Sequence, residues 1–155
     1  MLNIKDRHNG NILLDNEGHL IHIDFGFMLS NSPGNMNFEA APFKLTYEYV
    51  DLMGGVDSEI FCYFKSLLIK GFFEMKRHID EIIVPIEIMY QNSKMPCFRG
   101  GQNIFSEIRE RFSTKYNVTD TEFQEIVDKL VYNSYGSWRT TQYDRFQRYS
   151  NGIEP

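Results

Sequence analysis

Two short apolar runs near the start of the chain limit what it can fold into more than any other feature. Ile12-Leu13-Leu14 and His19-Leu20-Ile21-His22-Ile23 are separated by Asp15-Asn16-Glu17-Gly18. The separating residues tolerate tight or positive φ, and the flanks are β-branched or leucine, so the stretch predicts a β-hairpin. Two antiparallel strands of similar length bring their outer ends together. Asn11 then stands at the entry and Asp24 at the exit. A carboxamide and a carboxylate, both oxygen donors, converge from opposite ends of one rigid device.

The residues on either side of the hairpin sharpen this reading. Asp6-Arg7-His8-Asn9-Gly10-Asn11 precedes it, and Asp24-Phe25-Gly26 closes it. A hard cation such as Mg²⁺ takes one or two protein oxygens and completes its shell with waters and nucleotide phosphates. Protein kinases set an Asp five positions before an Asn and follow it with a D-F-G aspartate. Asp6 and Asn11 have that spacing, and Asp24 supplies the second metal ligand. The triplet is inverted, however: Asp-Arg-His stands where a protein kinase has His-Arg-Asp. In this the chain resembles the phosphatidylinositol 3-/4-kinase superfamily, whose catalytic loop reads D-R-H-x-x-N.

Length and composition agree with part of such an enzyme. The chain has 155 residues, 42% of them hydrophobic and 15% aromatic, enough for one domain or one lobe with a packed core. A net charge of −5 argues against a general nucleic-acid binder. Cys62 and Cys97 stand far apart with no partners at zinc spacing, so two free thiols in a reducing compartment are expected. No signal peptide and no transmembrane helix are expected either.

After Asp24-Phe25-Gly26 the chain reads as loop to Leu45, with Ser, Asn, Pro and Gly clustered in its middle. Lys44 is its one cation. A headgroup already carrying ring phosphates would need an Arg/Lys cluster here, so the loop predicts a ring without extra phosphates. Beyond it the pattern turns helical. Thr46 is a candidate cap for a short helix over 46–54 bearing Tyr47, Val50 and Met53 on one face. Gly54-Gly55 stops it. Asp57 or Ser58 caps a longer helix with Ile60, Phe61, Phe64, Leu67, Leu68, Phe72 and Met75 inward. Ile79 to Tyr90 is apolar, and Pro85 within it predicts a kink or break near residue 84. A helix over 104–116 buries Ile104, Ile108 and Phe112. Thr119 with Glu122 forms a capping box for a helix to about Tyr132. In the last segment Trp138, Tyr143, Phe146 and Tyr149 alternate with Arg139, Arg145 and Arg148. That mixture suits a membrane interface, with Trp138, Arg139, Arg145 and Phe146 as candidate contacts, or a helix packing its aromatics onto the lobe or on the catalytic loop.

The resemblance covers nearly the whole chain and is nearest to the beta-like branch of the type III phosphatidylinositol 4-kinases. It runs through Lys5–Leu14, Ile21–Phe27, Phe43–Thr46, Val50–Gly55, Pro96–Phe98 and the ending Tyr143–Ile153. It implies an α+β, mostly α fold: a kinase C-lobe with an N-terminal hairpin followed by a helical bundle, spanning 1–155. Within it 4–12 would be the catalytic loop, 24–45 the activation loop and 46–155 the helical region. It implies ATP with Mg²⁺ or Mn²⁺, transfer of the γ-phosphoryl to the 4-hydroxyl of membrane phosphatidylinositol, and a cytoplasmic enzyme peripheral to Golgi or other internal membranes. By the same resemblance Asp6 and His8 share the catalytic base role, and Asn11 and Asp24 hold the metal. Leu13 and Ile23 line the adenine side, Phe25 and Gly26 open the activation loop, and Lys44 contacts lipid phosphate. Arg7 braces the loop. The phosphate-cradling N-lobe that would precede residue 6 is missing, so this piece alone is expected to have little activity. Two alternatives are a non-catalytic lobe that binds membranes or proteins, and a metal hydrolase using His8, His19, His22 and Asp24. The second conflicts with strand alternation, which puts His19 on the opposite face from His22 and Asp24.

Overall fold

The hairpin turn is built by the side chain of Asp15. Its Oδ1 accepts from the backbone N–H of Glu17 at 2.9 Å and of His19 at 2.8 Å, while Gly18 takes the positive φ of 87° that the reversal requires. Strands β1 (Ile12–Leu14) and β2 (Leu20–His22) follow in antiparallel register, Ile12 opposite His22 and Leu14 opposite Leu20. The structure is a computed structural model, and it describes residues 2–34, 40–112 and 119–155. Residues 35–39 of the predicted activation loop and 113–116 of the predicted 104–116 helix lie outside the described residues.

Among the described residues six α-helices succeed the hairpin: α1 (Tyr47–Leu52), α2 (Glu59–Arg77), α3 (Ile79–Tyr90), α4 (Asn103–Arg111), α5 (Asp120–Ser134) and α6 (Trp138–Asn151). The architecture is therefore α+β and mostly α, as the resemblance implies. Ser58 caps α2 by accepting from Phe61 N–H at 3.0 Å. Thr119 and Glu122 form the expected capping box of α5. Thr46 precedes α1 in extended backbone without a capping hydrogen bond from its side chain.

Two apolar clusters meet along α2. The larger gathers Ile79, Ile83, Ile104, Ile108, Phe112 and Phe123; the smaller gathers Leu45, Val50, Phe61 and Val131. Leu68 packs against both. Two sequence expectations need correcting here. Ile60 and Leu67 are exposed, at 61% and 48%. Each precedes an inward residue, Phe61 or Leu68, by about 100° of helical rotation, so the buried stripe is narrower than the apolar composition of α2. Pro85 breaks nothing: α3 is continuous through it. The chain breaks instead at His78, whose φ of −107° and ψ of 22° end α2.

One close approach fixes the lower edge of the site. Gly136, at φ 55°, lies against the Tyr47 ring, where a Cβ would come within 2.3 Å of the ring carbon. Its N–H donates to the Leu45 carbonyl at 3.0 Å. The segment 43–45 is thereby tied to the α5–α6 junction.

Candidate functional site

The register delivers the two ends of the hairpin to one place. Ile23 N–H donates to the Asn11 carbonyl at 3.1 Å, so Asn11 lies across from Ile23 and beside Asp24. Arg7 locks that junction. Its Nε donates to the Lys5 carbonyl at 2.8 Å, and its Nη1 to the Ile23 carbonyl at 2.9 Å and to the Asn11 carbonyl at 3.5 Å. Its Nη2 donates to the Asp24 carbonyl at 2.5 Å. The planar five-donor fork of arginine suits such a set of carbonyls. Asp6 and Asp24 both adopt left-handed backbone, at φ 66° and 54°, which aspartate tolerates better than most residues. Burial, and then the Arg7 guanidinium 3.4 Å away, push the His22 imidazole below its ordinary range. A neutral Nδ1 can then accept from Arg7.

Asn11 is buried, and its amide nitrogen donates to the Asp6 carbonyl at 2.9 Å and to Asp6 Oδ2 at 3.3 Å. The amide oxygen is thereby left as the group that faces other partners. Asp24 is exposed, and its Oδ1 accepts from Gly26 N–H at 3.1 Å. The donor set is thus two oxygens of different charge on a fixed junction, the chemistry a hard divalent cation takes when phosphates and waters complete its shell. His8 is buried, with Nε2 3.6 Å from Asp6 Oδ1. Its Nδ1 is buried with no hydrogen-bond partner among the described residues and lies against Gly10, where a Cβ would come within 3.1 Å of it.

The apolar positions around the junction stay exposed. Leu13, Ile23 and Phe25 are exposed at 48%, 37% and 50%, on and just beyond the hairpin. Lys44 is not a free cation. Its Nζ is 2.9 Å from Asp144 Oδ1, with both side chains buried, and it also donates to Asn9 Oδ1 at 3.2 Å. That pair ties α6 to the loop, and a contact of Lys44 with lipid phosphate would require breaking it. On α6, Trp138, Arg139, Arg145 and Phe146 are exposed, and the Arg139 guanidinium lies 5.5 Å from the Trp138 ring centroid. Tyr143, grouped with them by the sequence pattern, is instead buried and donates its hydroxyl proton to Asp6 Oδ1. Tyr143 thus fits the reading of a helix that packs its aromatics on the catalytic loop, whereas the continuation of that line through Gln147 and Asn151 was missed. The signal was there: Tyr143, Gln147 and Asn151 recur every four residues and so share one helix face. The hydrolase alternative finds no support, because His19 pairs with Asp15 at 2.8 Å and His22 with Arg7.

Comparison with known proteins now bears on this arrangement. The model of the family described as phosphatidylinositol 3- and 4-kinase matches residues 1–99, which include the whole hairpin junction. The chain belongs to the phosphatidylinositol 3- and 4-kinase family. It is 50% identical over 153 residues to a phosphatidylinositol 4-kinase of Dictyostelium discoideum. It is 52% identical over 157 residues to phosphatidylinositol 4-kinase beta 1 of Arabidopsis thaliana, and 49% identical over 153 residues to phosphatidylinositol 4-kinase beta of Danio rerio. Each match covers 99% of this chain but only 13%, 14% and 18% of the respective relative. This family member thus spans under a fifth of the length of those enzymes.

Proposed function

We propose that this chain is the C-lobe, residues 1–155, of a phosphatidylinositol 4-kinase. It would hold the metal-bound phosphates of ATP and the acceptor hydroxyl of the lipid. The observation that carries the reading is the Arg7 junction, which binds the carbonyls of Asn11, Ile23 and Asp24 at once. Asn11 and Asp24 are the residues that would hold Mg²⁺ or Mn²⁺. The bound metal supplies neutralisation of the developing phosphate charge. The remaining work belongs to the chain. Asp6 and His8 sit within reach of each other to take the proton of the inositol 4-hydroxyl, one as acceptor and the other orienting it. Leu13 and Ile23 offer apolar contact to the adenine, and Phe25-Gly26 begins the loop that meets the headgroup.

The substrate is membrane phosphatidylinositol without extra ring phosphates. Lys44 is the single Lys or Arg between Asp24 and Leu45, and its charge is spent on Asp144. The exposed Trp138, Arg139, Arg145 and Phe146 are proposed as membrane contacts, on an enzyme of the cytoplasm peripheral to Golgi or other internal membranes. No helix among the described residues is long and apolar enough to cross a membrane. The N-lobe of the same enzyme is the proposed partner for the apolar hairpin.

The test is a lipid-kinase assay of the full-length protein on vesicles containing phosphatidylinositol or its ring-phosphorylated forms. Phosphate is expected on the 4-hydroxyl of phosphatidylinositol, and Asp24→Ala should abolish it. Undiminished labelling by Asp24→Ala, or preference for ring-phosphorylated lipid, would overturn the reading.

A further inference from the structure

Asp6 is reached from far along the chain. Tyr143, on α6 and 137 positions away, donates to Asp6 Oδ1. The bond is one link of a chain whose polarity the partners fix. Asn151 Nδ2 donates to Gln147 Oε1 at 2.6 Å, which leaves the Gln147 amide nitrogen toward Tyr143. Gln147 Nε2 then donates to Tyr143 Oη at 2.8 Å. With a donor already on its oxygen, the phenol turns its own proton to the carboxylate. Tyr143 and Gln147 are both buried, at 4% and 6% exposure. The other carboxylate oxygen, Oδ2, takes the amide nitrogen of Asn11. Both oxygens of Asp6 are therefore held, one by the catalytic loop and one by the C-terminal helix.

Further bonds keep α6 in place over this loop. The Lys44–Asp144 pair is adjacent to Tyr143. Asn9 Nδ2 donates to the Glu154 carbonyl at 3.3 Å, and Ile153 packs where a side chain on Gly10 would stand. A phenol held this way is more than core filling, because an apolar ring would pack as well without needing Gln147 behind it.

Resting on the lipid-kinase reading, we infer that Tyr143 is a positioning residue for phosphoryl transfer. Through the Asn151–Gln147–Tyr143 relay it sets the orientation of the Asp6 carboxylate beside His8. Preordering a reacting carboxylate lowers the barrier to transfer without strengthening substrate binding. Its signature is a loss in kcat rather than in KM.

The experiment uses the full-length protein carrying Tyr143→Phe, Gln147→Met or both. Tyr143→Phe keeps the ring and removes only the donor. It should lower kcat on phosphatidylinositol about tenfold, with KM for ATP and for lipid within about twofold of wild type. Gln147→Met should act in the same direction by a smaller factor, and the double variant should be no slower than Tyr143→Phe. An unchanged kcat, a KM effect alone, or multiplying losses in the double variant would each overturn the positioning role. A second readout needs no substrate. Hydrogen exchange in peptides spanning residues 6–11 should speed up in both single variants and no further in the double; unaltered exchange overturns the relay. A wild-type protein that labels no phosphatidylinositol would instead sink the lipid-kinase reading, and the positioning role with it, while the exchange measurement still decides the relay.

Discussion

Arg7 carries a full charge at 6% exposure, and its donors satisfy carbonyls on both sides of the hairpin. A lysine has the same charge but no fork, and its ammonium cannot reach Lys5, Ile23 and Asp24 together. Arg7→Lys should therefore leave carbonyls unpaired and cost about 2 kcal/mol of stability. It should also cost at least about tenfold in kcat, because Asn11 and Asp24 lose their common brace. Thermal melting and steady-state kinetics of the same variant check both; full activity in Arg7→Lys would mean the junction stands without the fork. At this scale the convergence of the hairpin's ends was legible. Asp6, Asn11 and Asp24 follow from spacing, because a tight hairpin leaves little freedom in where its ends go. The partners of Lys44 and Tyr143 were not legible, for one reason. Their partners, Asp144 and Asp6, lie at 100 and 137 positions' distance, and local pattern carries no information about such pairs.

The helices were legible where a local rule sets them. Ser58 and Thr119 cap as their side chains predict, and the inward face of α4 matches its period. Ile60 and Leu67 went otherwise, because the width of a buried stripe depends on the neighbouring helix. The capping box of α5 also makes a prediction about pH. Bonds from the Thr119 backbone N–H and then from its hydroxyl hold the Glu122 carboxylate below its ordinary value of 4.5. A group whose folded-state pKa is depressed stabilises the fold at pH above its unfolded value, and that stability is lost as pH falls through the folded one. Acidification below 4.5 should thus loosen the start of α5. Glu122→Gln, which cannot ionise, should show a flatter decline of melting temperature over that window. Equal slopes in wild type and variant would mean that the charge of Glu122 contributes nothing to the cap.

The largest-scale consequence is the surface the hairpin presents. Leu14 is 68% exposed, and Leu13, Leu20 and Ile21 are each exposed by nearly half. Leucines and isoleucines on both faces of a two-stranded hairpin are unusual on a free surface, and contiguous patches of this kind mark interaction sites. The relatives are at least five times longer than this chain, so a covering segment from the same protein is the simplest occupant. On that argument the 155-residue piece should bind a hydrophobic dye, self-associate and phosphorylate little lipid, while a longer protein that includes the covering lobe does neither of the first two and restores the third. Leu14→Glu separates patch from fold, since Leu14 supports no buried cluster. In the isolated piece it should raise solubility and lower dye binding with little change in melting. In the full-length protein it should weaken lobe contact, seen as faster hydrogen exchange over residues 12–22 and reduced turnover. If Leu14→Glu leaves the full-length protein untouched by both measures, the hairpin meets solvent there too, and the apolar face needs another explanation.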